Sequence, residues 1–232
     1  MDKICYVNEV SNFAKISGCP IAYWISNNFS QIFDNPLIYD FSISDGQNVT
    51  SDNARFVRCF WELNKNNIGK GRKWRYYAKG GGYRKWYGNI VDVVDWSSEA
   101  ISFYHKNPSA RVLPEYLWYK KGITWGLITS TAPSFRILPE IATFDKGGSS
   151  IFVIDENNYL YILALLNSIL FSKVAIVLNP TLNFQVKDIR SMPLIIKNQA
   201  LVDDLSLKNL ELSKLEWDSF EISSDFKKHP LI

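Results

Sequence analysis

Residues 74–87 constrain the fold of this chain more than any other stretch. Trp74, Tyr76 and Ala78 alternate with Arg75, Tyr77 and Lys79; Gly80, Gly81 and Gly82 follow, and an aromatic-basic run from Tyr83 to Tyr87 comes after them. A period of two is the signature of a strand, and consecutive glycines release the chain into a turn. The pattern predicts a β-hairpin with a glycine turn, its tip carrying Lys79, Arg84 and Lys85. A phosphate-binding or dinucleotide loop is not indicated. Gly69-Lys70-Gly71 lacks the third glycine of the dinucleotide fingerprint, and no Gly-Lys-Ser/Thr run occurs.

The same region concentrates charge. Ten of the 26 Lys and Arg residues fall between 55 and 88, with Glu62 the only acid. That window carries +9 in a chain whose net charge is +3, so the remainder is −6. Such asymmetry points to a polyanion. Cations interleaved with Trp and Tyr suit phosphate contact and groove insertion, and Arg can read guanine with two hydrogen bonds. The candidate phosphate contacts are Lys70, Arg72, Lys73, Arg75, Lys79, Arg84 and Lys85, with Trp86 and Tyr87 as supporting or wedge residues. The competing reading of the same residues is a solvated hairpin whose aromatics simply pack.

Elsewhere the pattern alternates between short strands and helices. Residues 37–60 read as a loop followed by an apolar-basic stretch through 57–60, and strands are expected at residues 4–7, 90–94, 123–129, 135–138, 141–144 and 151–154. Helices are expected at 21–33, started by Pro20, and at 157–172, capped by Asp155. A strand, one helical turn and a strand should fill 181–196. An amphipathic helix over 198–216 shows Leu201, Leu205, Leu212 and Leu215 on one stripe. These elements predict an α+β fold: a curved mixed sheet with helices packed on one side. Residues 1–197 would form one domain, and the helix and tail of 198–232 would belong to the same unit as a spacer. At 232 residues the chain is long enough for a substantial core.

Several chemistries are poorly provided for. Cys5, Cys19 and Cys59 make no paired motif and read as free thiols of a reducing cytoplasm. No signal peptide is visible, and the apolar run 160–178 is broken by polar residues, so a cytoplasmic protein without a membrane anchor is expected. His105 and His229 are the only histidines, and neither Asp92 with Asp95 nor Asp203 with Asp204 has a lysine at nuclease-like spacing, so no metal site is expected. Ser149 and Ser150 have no evident base beside them. Asn179-Pro180-Thr181 lacks the second proline and the aromatic of an amino-methyltransferase tetrad, and no glycine-rich cofactor loop is present. No catalytic or cofactor-binding residue is therefore assigned to this chain.

Seven segments, in order, carry a resemblance: GCPIAYWIS (18–26), GQNVTSDNARFVR (46–58), KGGGYRKWYGN (79–89), GITWGLITS (122–130), FDKGGSSIF (144–152), LNPTLNFQVKDIRSMPL (178–194) and WDSFEISSDFKKHPL (217–231). Together they resemble the C-terminal part of the adenine-specific DNA methyltransferases of BREX phage defence, the PglX family. That resemblance implies a target-recognition domain like those of type I and type IIG restriction-modification specificity regions. The methyltransferase domain, with its S-adenosylmethionine site, would lie elsewhere on the same polypeptide, with Met1 an internal boundary and the natural C-terminus beyond Ile232. By the same resemblance, 163–172 is a helix leading to the Asn179 loop, and Asn183 and Gln185 sit where such domains bring polar side chains toward DNA. Asn and Gln can pair with adenine, although Asn183 in an apolar strand equally suits a buried backbone group. Where the family tends to carry Thr-Gly this chain has Thr50-Ser51, so a left-handed turn there would be strained.

The function so implied is sequence-specific recognition of double-stranded DNA for a methyltransferase domain on the same chain. The alternative is a protein-interaction module that docks other defence components or is bound by a phage DNA mimic. A carbohydrate-binding β-domain is suggested by the aromatics alone.

Overall fold

The computed structural model describes residues 9–128, 133–179, 181, 183–229 and 231; the strand expected at 4–7 and Cys5 lie outside them. Among the described residues eight strands are formed: β1 (Ser42–Ile43), β2 (Val57–Cys59), β3 (Trp74–Ala78), β4 (Asp92–Asp95), β5 (Gly122–Trp125), β6 (Phe135–Leu138), β7 (Ala142–Phe144) and β8 (Ser150–Val153). The helices are α1 (Val10–Ala14), α2 (Asn27–Ser30), α3 (Ile38–Phe41), α4 (Asn53–Phe56), α5 (Ser98–Lys106), α6 (Tyr159–Asn167), α7 (Ile169–Leu178), α8 (Val186–Arg190) and α9 (Gln199–Trp217).

The class is α+β, with the strands divided between two four-stranded sheets. One is antiparallel, in the order β1-β8-β5-β6; the other is mixed, in the order β2-β4-β3-β7, with β3 and β7 parallel. The larger core lies between the antiparallel sheet and α6–α7, where Ile123, Trp125, Phe135, Leu163, Leu166 and Phe171 close together. A second core, around Tyr76, Val93, Leu138 and Phe144, fills the mixed sheet.

The expected hairpin is not formed. β3 pairs with β4, Trp74 opposite Asp95 and Tyr77 opposite Asp92, and the intervening residues 79–91 make a long loop. The backbone explains why the return strand fails at 83–87. Gly80, Gly81 and Gly88 have φ of 89°, 94° and 105°, and Trp86 and Asn89 are also left-handed, so the segment cannot run extended. Trp86 instead bonds through its backbone to Phe135 and Ile137 at the edge of β6. β3 is central in its sheet, and all five of its residues are buried, Arg75 included. The alternation seen in the sequence thus runs along a strand covered on both faces.

Other boundaries shift for local reasons. The first expected helix starts later, after Ser26, whose hydroxyl accepts from the Phe29 N–H. The helix expected over 157–172 is broken at Ser168, whose hydroxyl caps a new helix at Phe171, and the two pieces bend by 75°. Asp155 caps the short turn ahead of them through the Asn157 N–H. Among the described residues no single helix is long and apolar enough to cross a membrane, and the bent pair that passes together lies in the larger core.

α9 matches the expected helix, but its stripe points the other way. Leu201, Leu205, Leu212 and Leu215 are exposed, and the face turned to the domain carries Ser206 and Trp217, with Leu210 half-buried. Two serines and a tryptophan make the packed side because α9 lies close along its neighbours. Ser213 reaches the Lys85 carbonyl at 3.0 Å, and Trp217 lies so near Gly88 that a Cβ there would come within 2.7 Å of the indole.

Candidate nucleic-acid interface

The fold disperses the basic window. Arg75 is fully buried, its guanidinium between Tyr119 (4.0 Å to the ring centre) and Trp96 (4.9 Å), with one donor on the Ala142 carbonyl. Burial lowers its pKa to about 10. It cannot reach a phosphate. Arg84 and Lys85 are not at a tip either. Arg84 is paired with Glu216 and stacked over Trp217 at 4.8 Å, while the Lys85 ammonium donates to the Asn167 carbonyl at 2.7 Å.

Most of the remaining cations of the window are also engaged. Arg58 pairs with Glu62, Lys65 with Asp225 and Lys73 with Asp95, while Arg55 stacks on Phe56 and Phe103. Lys70 stands over Tyr119 at 5.3 Å. Lys70, Arg72 and Lys73 are exposed ahead of β3, and Lys79 is half-buried at its other end, where its charge bears on Asp92 and Asp145. Five strand residues separate these groups by about 16 Å. Trp86 packs against the larger core, and Tyr87 is half-buried under Lys214, so neither is a free wedge. The charge concentrated in sequence serves largely to fasten the fold.

Asn183 and Gln185 meet a different fate. Both are exposed, and both line one cleft with Gln47, Lys146 and Lys187. The cleft continues past Gln47 and Val186 to Asp45 and Arg111, and past Lys146 to Asn48, Ser51 and Asn53. Three cations from three distant segments, Arg111, Lys146 and Lys187, therefore edge a surface set with amide side chains. All three are exposed, and among the described residues none of them is in an ion pair.

Each wall of the cleft is fixed from behind. Asn48 is buried and donates to Thr143 Oγ1 at 2.6 Å and to the Phe144 carbonyl at 2.8 Å, while its own carbonyl oxygen accepts from Leu113 N–H. This pins the 46–50 loop, including Gln47, to β7. Ser51 takes the left-handed conformation, φ 61°, that a glycine would adopt without strain, and its hydroxyl accepts from Asn107. The Asp145 carboxylate accepts from the N–H groups of Gly147 (2.6 Å) and Gly148 (3.0 Å), a tight turn that leaves Lys146 projecting. Burial pushes the Asp145 pKa up, against the pull of those two hydrogen bonds and of Lys79.

On the opposite wall the Asn179 amide donates to the Asn183 carbonyl and to Asp188 Oδ2, and the same Asp188 oxygen accepts from Gln185 N–H. The backbones of Asn183 and Gln185 are thus held while their side chains face solvent, which settles Asn183 against the role of satisfying a buried group.

The two stretches weighed for cofactor chemistry, at Asn179 and at the glycines, are engaged within the fold. Asn179 has both amide hydrogens engaged, and the glycines at 80 and 147–148 are pressed against one another, a Cβ on Gly80 falling 2.7 Å from the Gly147 carbonyl. Their absent side chains permit strand-to-loop contact instead of leaving a cradle. Among the described residues no three His, Cys, Asp or Glu side chains gather to hold a metal.

Gln47, Arg111, Lys146 and Lys187 were not singled out by sequence. Each stands alone in its own segment, and only Gln47, Lys146 and Lys187 lay within the resembling stretches.

No protein-family model matches the chain. It is 36% identical over 235 residues to "Adenine-specific methyltransferase BrxX" of Escherichia coli O9:H4 (strain HS), covering 98% of this chain and 19% of that protein. It is 31% identical over 245 residues to "Adenine-specific methyltransferase PglX" of Lacticaseibacillus casei (strain Zhang), covering 98% of this chain and 20% of that protein. The chain is thus similar, over nearly its whole length, to about one fifth of two adenine-specific methyltransferases.

Proposed function

We propose that the chain is the part of a larger phage-defence adenine-specific methyltransferase that recognises its DNA target, and that the Gln47–Lys146–Asn183–Gln185 cleft is the surface that meets the duplex. Methyl transfer, base flipping and S-adenosylmethionine would belong to the rest of such a polypeptide, in the cytoplasm. The carrying observation is the convergence of exposed Asn183 and Gln185 with Lys146 and Lys187, cations in no ion pair among the described residues, in one cleft. Cations at its edges suit phosphates, and exposed amides on its walls suit base edges, adenine above all. Lys70 and Arg72 would add phosphate contacts outside it.

The test is duplex binding across a salt series. Lys146→Ala with Lys187→Ala should weaken binding to every sequence alike and lower the salt slope by about two, one for each lysine removed. Gln185→Ala should instead cost about 1–3 kcal/mol on the cognate site alone and alter the methylated motif of the full-length polypeptide. Unchanged affinity, slope and motif in all three variants would turn the reading to docking of another defence protein.

A further inference from the structure

We infer that the outer face of α9 is the seat of a second α-helix, one with an apolar heptad seam and Lys or Arg on its flanks, supplied by the same longer polypeptide. This rests on the reading that the chain is one part of a larger methyltransferase. Leu201, Leu205, Leu212 and Leu215 are 59%, 49%, 66% and 70% exposed on a 19-residue helix whose opposite face is packed on the domain. With Lys208 between them they are spaced 4-3-4-3, which keeps them on one side of the helix and is the seam of a two-helix coiled coil. Exposed leucines scattered singly need no explanation, whereas four in this register do.

The partner's chemistry follows from the residues beside the seam. Asp204 and Glu211 border it on one side, and Glu216, already paired with Arg84, on the other. Lys208 in the seam is held by Asp204 at 2.7 Å. A fitting helix therefore offers cations at its flanks and an acid opposite Lys208.

A second copy of α9 fits badly. Laid parallel, it sets Lys208 against Lys208 and Glu211 against Glu216. Laid antiparallel about Lys208, it sets Asp204 against Glu211. The seam is also short, about 21 Å from 201 to 215. Two heptads bury far less than a free-standing complex needs, so a tether that raises the local concentration to the millimolar range is what makes such an association persist.

Two measurements test this. A benzophenone photo-cross-linker replacing Leu212 in the full-length polypeptide should give an intramolecular adduct, mapped by mass spectrometry to a helix outside residues 1–232. An adduct between labelled and unlabelled copies, an adduct to another protein, or no adduct overturns the inference. In the 232-residue chain, Leu205→Glu with Leu212→Glu should leave the melting temperature and DNA affinity at wild-type values. A fall in melting temperature of more than ~5 °C would mean that these leucines already pack within the domain, and would also overturn it. The cleft variants report on another face, so failure here leaves the DNA reading to its own test.

Discussion

Arg84 and Glu216 stand 132 residues apart and form an ion pair that fastens the loop 79–91 to α9. The guanidinium lies at the same time over Trp217, and the Arg84 backbone N–H donates to Ser134. The Glu216 side chain is half-exposed, so the pair alone contributes little; the stacked, largely shielded Arg84 contributes more. Arg84→Ala is expected to cost about 1–2 kcal/mol, lowering the melting temperature by roughly 2–8 °C in a chain this size. Arg84→Lys should recover less than half, because an ammonium cannot stack as a planar guanidinium does. Duplex affinity should stay within twofold of wild type. A large loss of affinity with unchanged melting would return Arg84 to the DNA surface.

Arg75 makes a sharper case, since it has no exposure at all. Its Nε and Nη1 are buried without hydrogen-bond acceptors, and among the described residues no carboxylate is paired with it. Arg75→Ala should cost about 3–5 kcal/mol by leaving a cavity between Trp96 and Tyr119. Arg75→Met fills that space without a buried charge and should come within ~1 kcal/mol of wild type. Chemical denaturation of the two variants distinguishes them; equal losses would mean that the charge itself, not the volume, holds the site.

What was legible in the sequence, and what was not, follows from the range of the interactions involved. The strand at 135–138 and the helical turn within 181–196 are set by residues within a few positions of one another, and both are found; the strands expected on either side of that turn are not, since among the described residues Asn183 and Pro193 make only isolated bridges, to Ile128 and Leu37. The end of α9 is likewise local. Which strand pairs with β3 is not local: its alternation is equally compatible with 83–87 and with 92–95, and left-handed backbone at Trp86 and Asn89 decides against the first. The same holds for charge. Lys73, Arg84 and Lys65 look free in the sequence and are paired with Asp95, Glu216 and Asp225 once the chain closes. Conversely, Arg111, Lys146 and Lys187 come together only through tertiary structure. Asn183 and Gln185 were reached through family resemblance, because nothing in their immediate neighbours distinguishes an exposed amide from a buried one.

The two faces of α9 should respond oppositely to truncation in the isolated chain. Leu205→Ala and Leu212→Ala remove side chains that face solvent and should stay within ~0.5 kcal/mol of wild type. Trp217→Ala removes a side chain 5% exposed that packs on Gly88 and under Arg84, and should cost about 3–5 kcal/mol. Thermal melts of the three variants check the assignment. A loss at Leu205 equal to that at Trp217 would mean that the helix is rotated from the position described.

Asp145 carries a pH signature. Burial raises its pKa above the ordinary 3.8, so the folded state holds a proton that the unfolded chain has released. Between 3.8 and the raised value the folded state binds more protons, and stability therefore falls as pH rises through that window. Asp145→Asn keeps an oxygen to accept from Gly147 and Gly148 but cannot ionise. The stability difference, variant minus wild type, should therefore grow from about pH 4 upward and level off above the raised pKa. Asp145→Ala lacks the acceptor and should lie about 1–2 kcal/mol below Asp145→Asn at every pH. A difference between wild type and Asp145→Asn that is flat from about pH 3.5 to 7 would refute the raised pKa.

The glycines around this turn make the last case. A Cβ on Gly148 would overlap the Ala78 carbonyl and come 2.9 Å from Gly80 N, both backbone atoms that cannot swing aside. Gly82 meets nothing within 4 Å. Gly148→Ala must therefore push the 145–148 turn off β3, and with it Lys146, which that turn holds at the edge of the cleft. A loss of roughly 2–3 kcal/mol of stability is expected from such overpacking, together with weaker duplex binding at low salt. Gly82→Ala should be nearly silent in both assays. Were the two alanines to behave alike, the run of glycines would matter for flexibility and not for close approach. Were Gly148→Ala to fold poorly yet bind duplex with wild-type affinity per folded molecule, Lys146 would have no part in the binding.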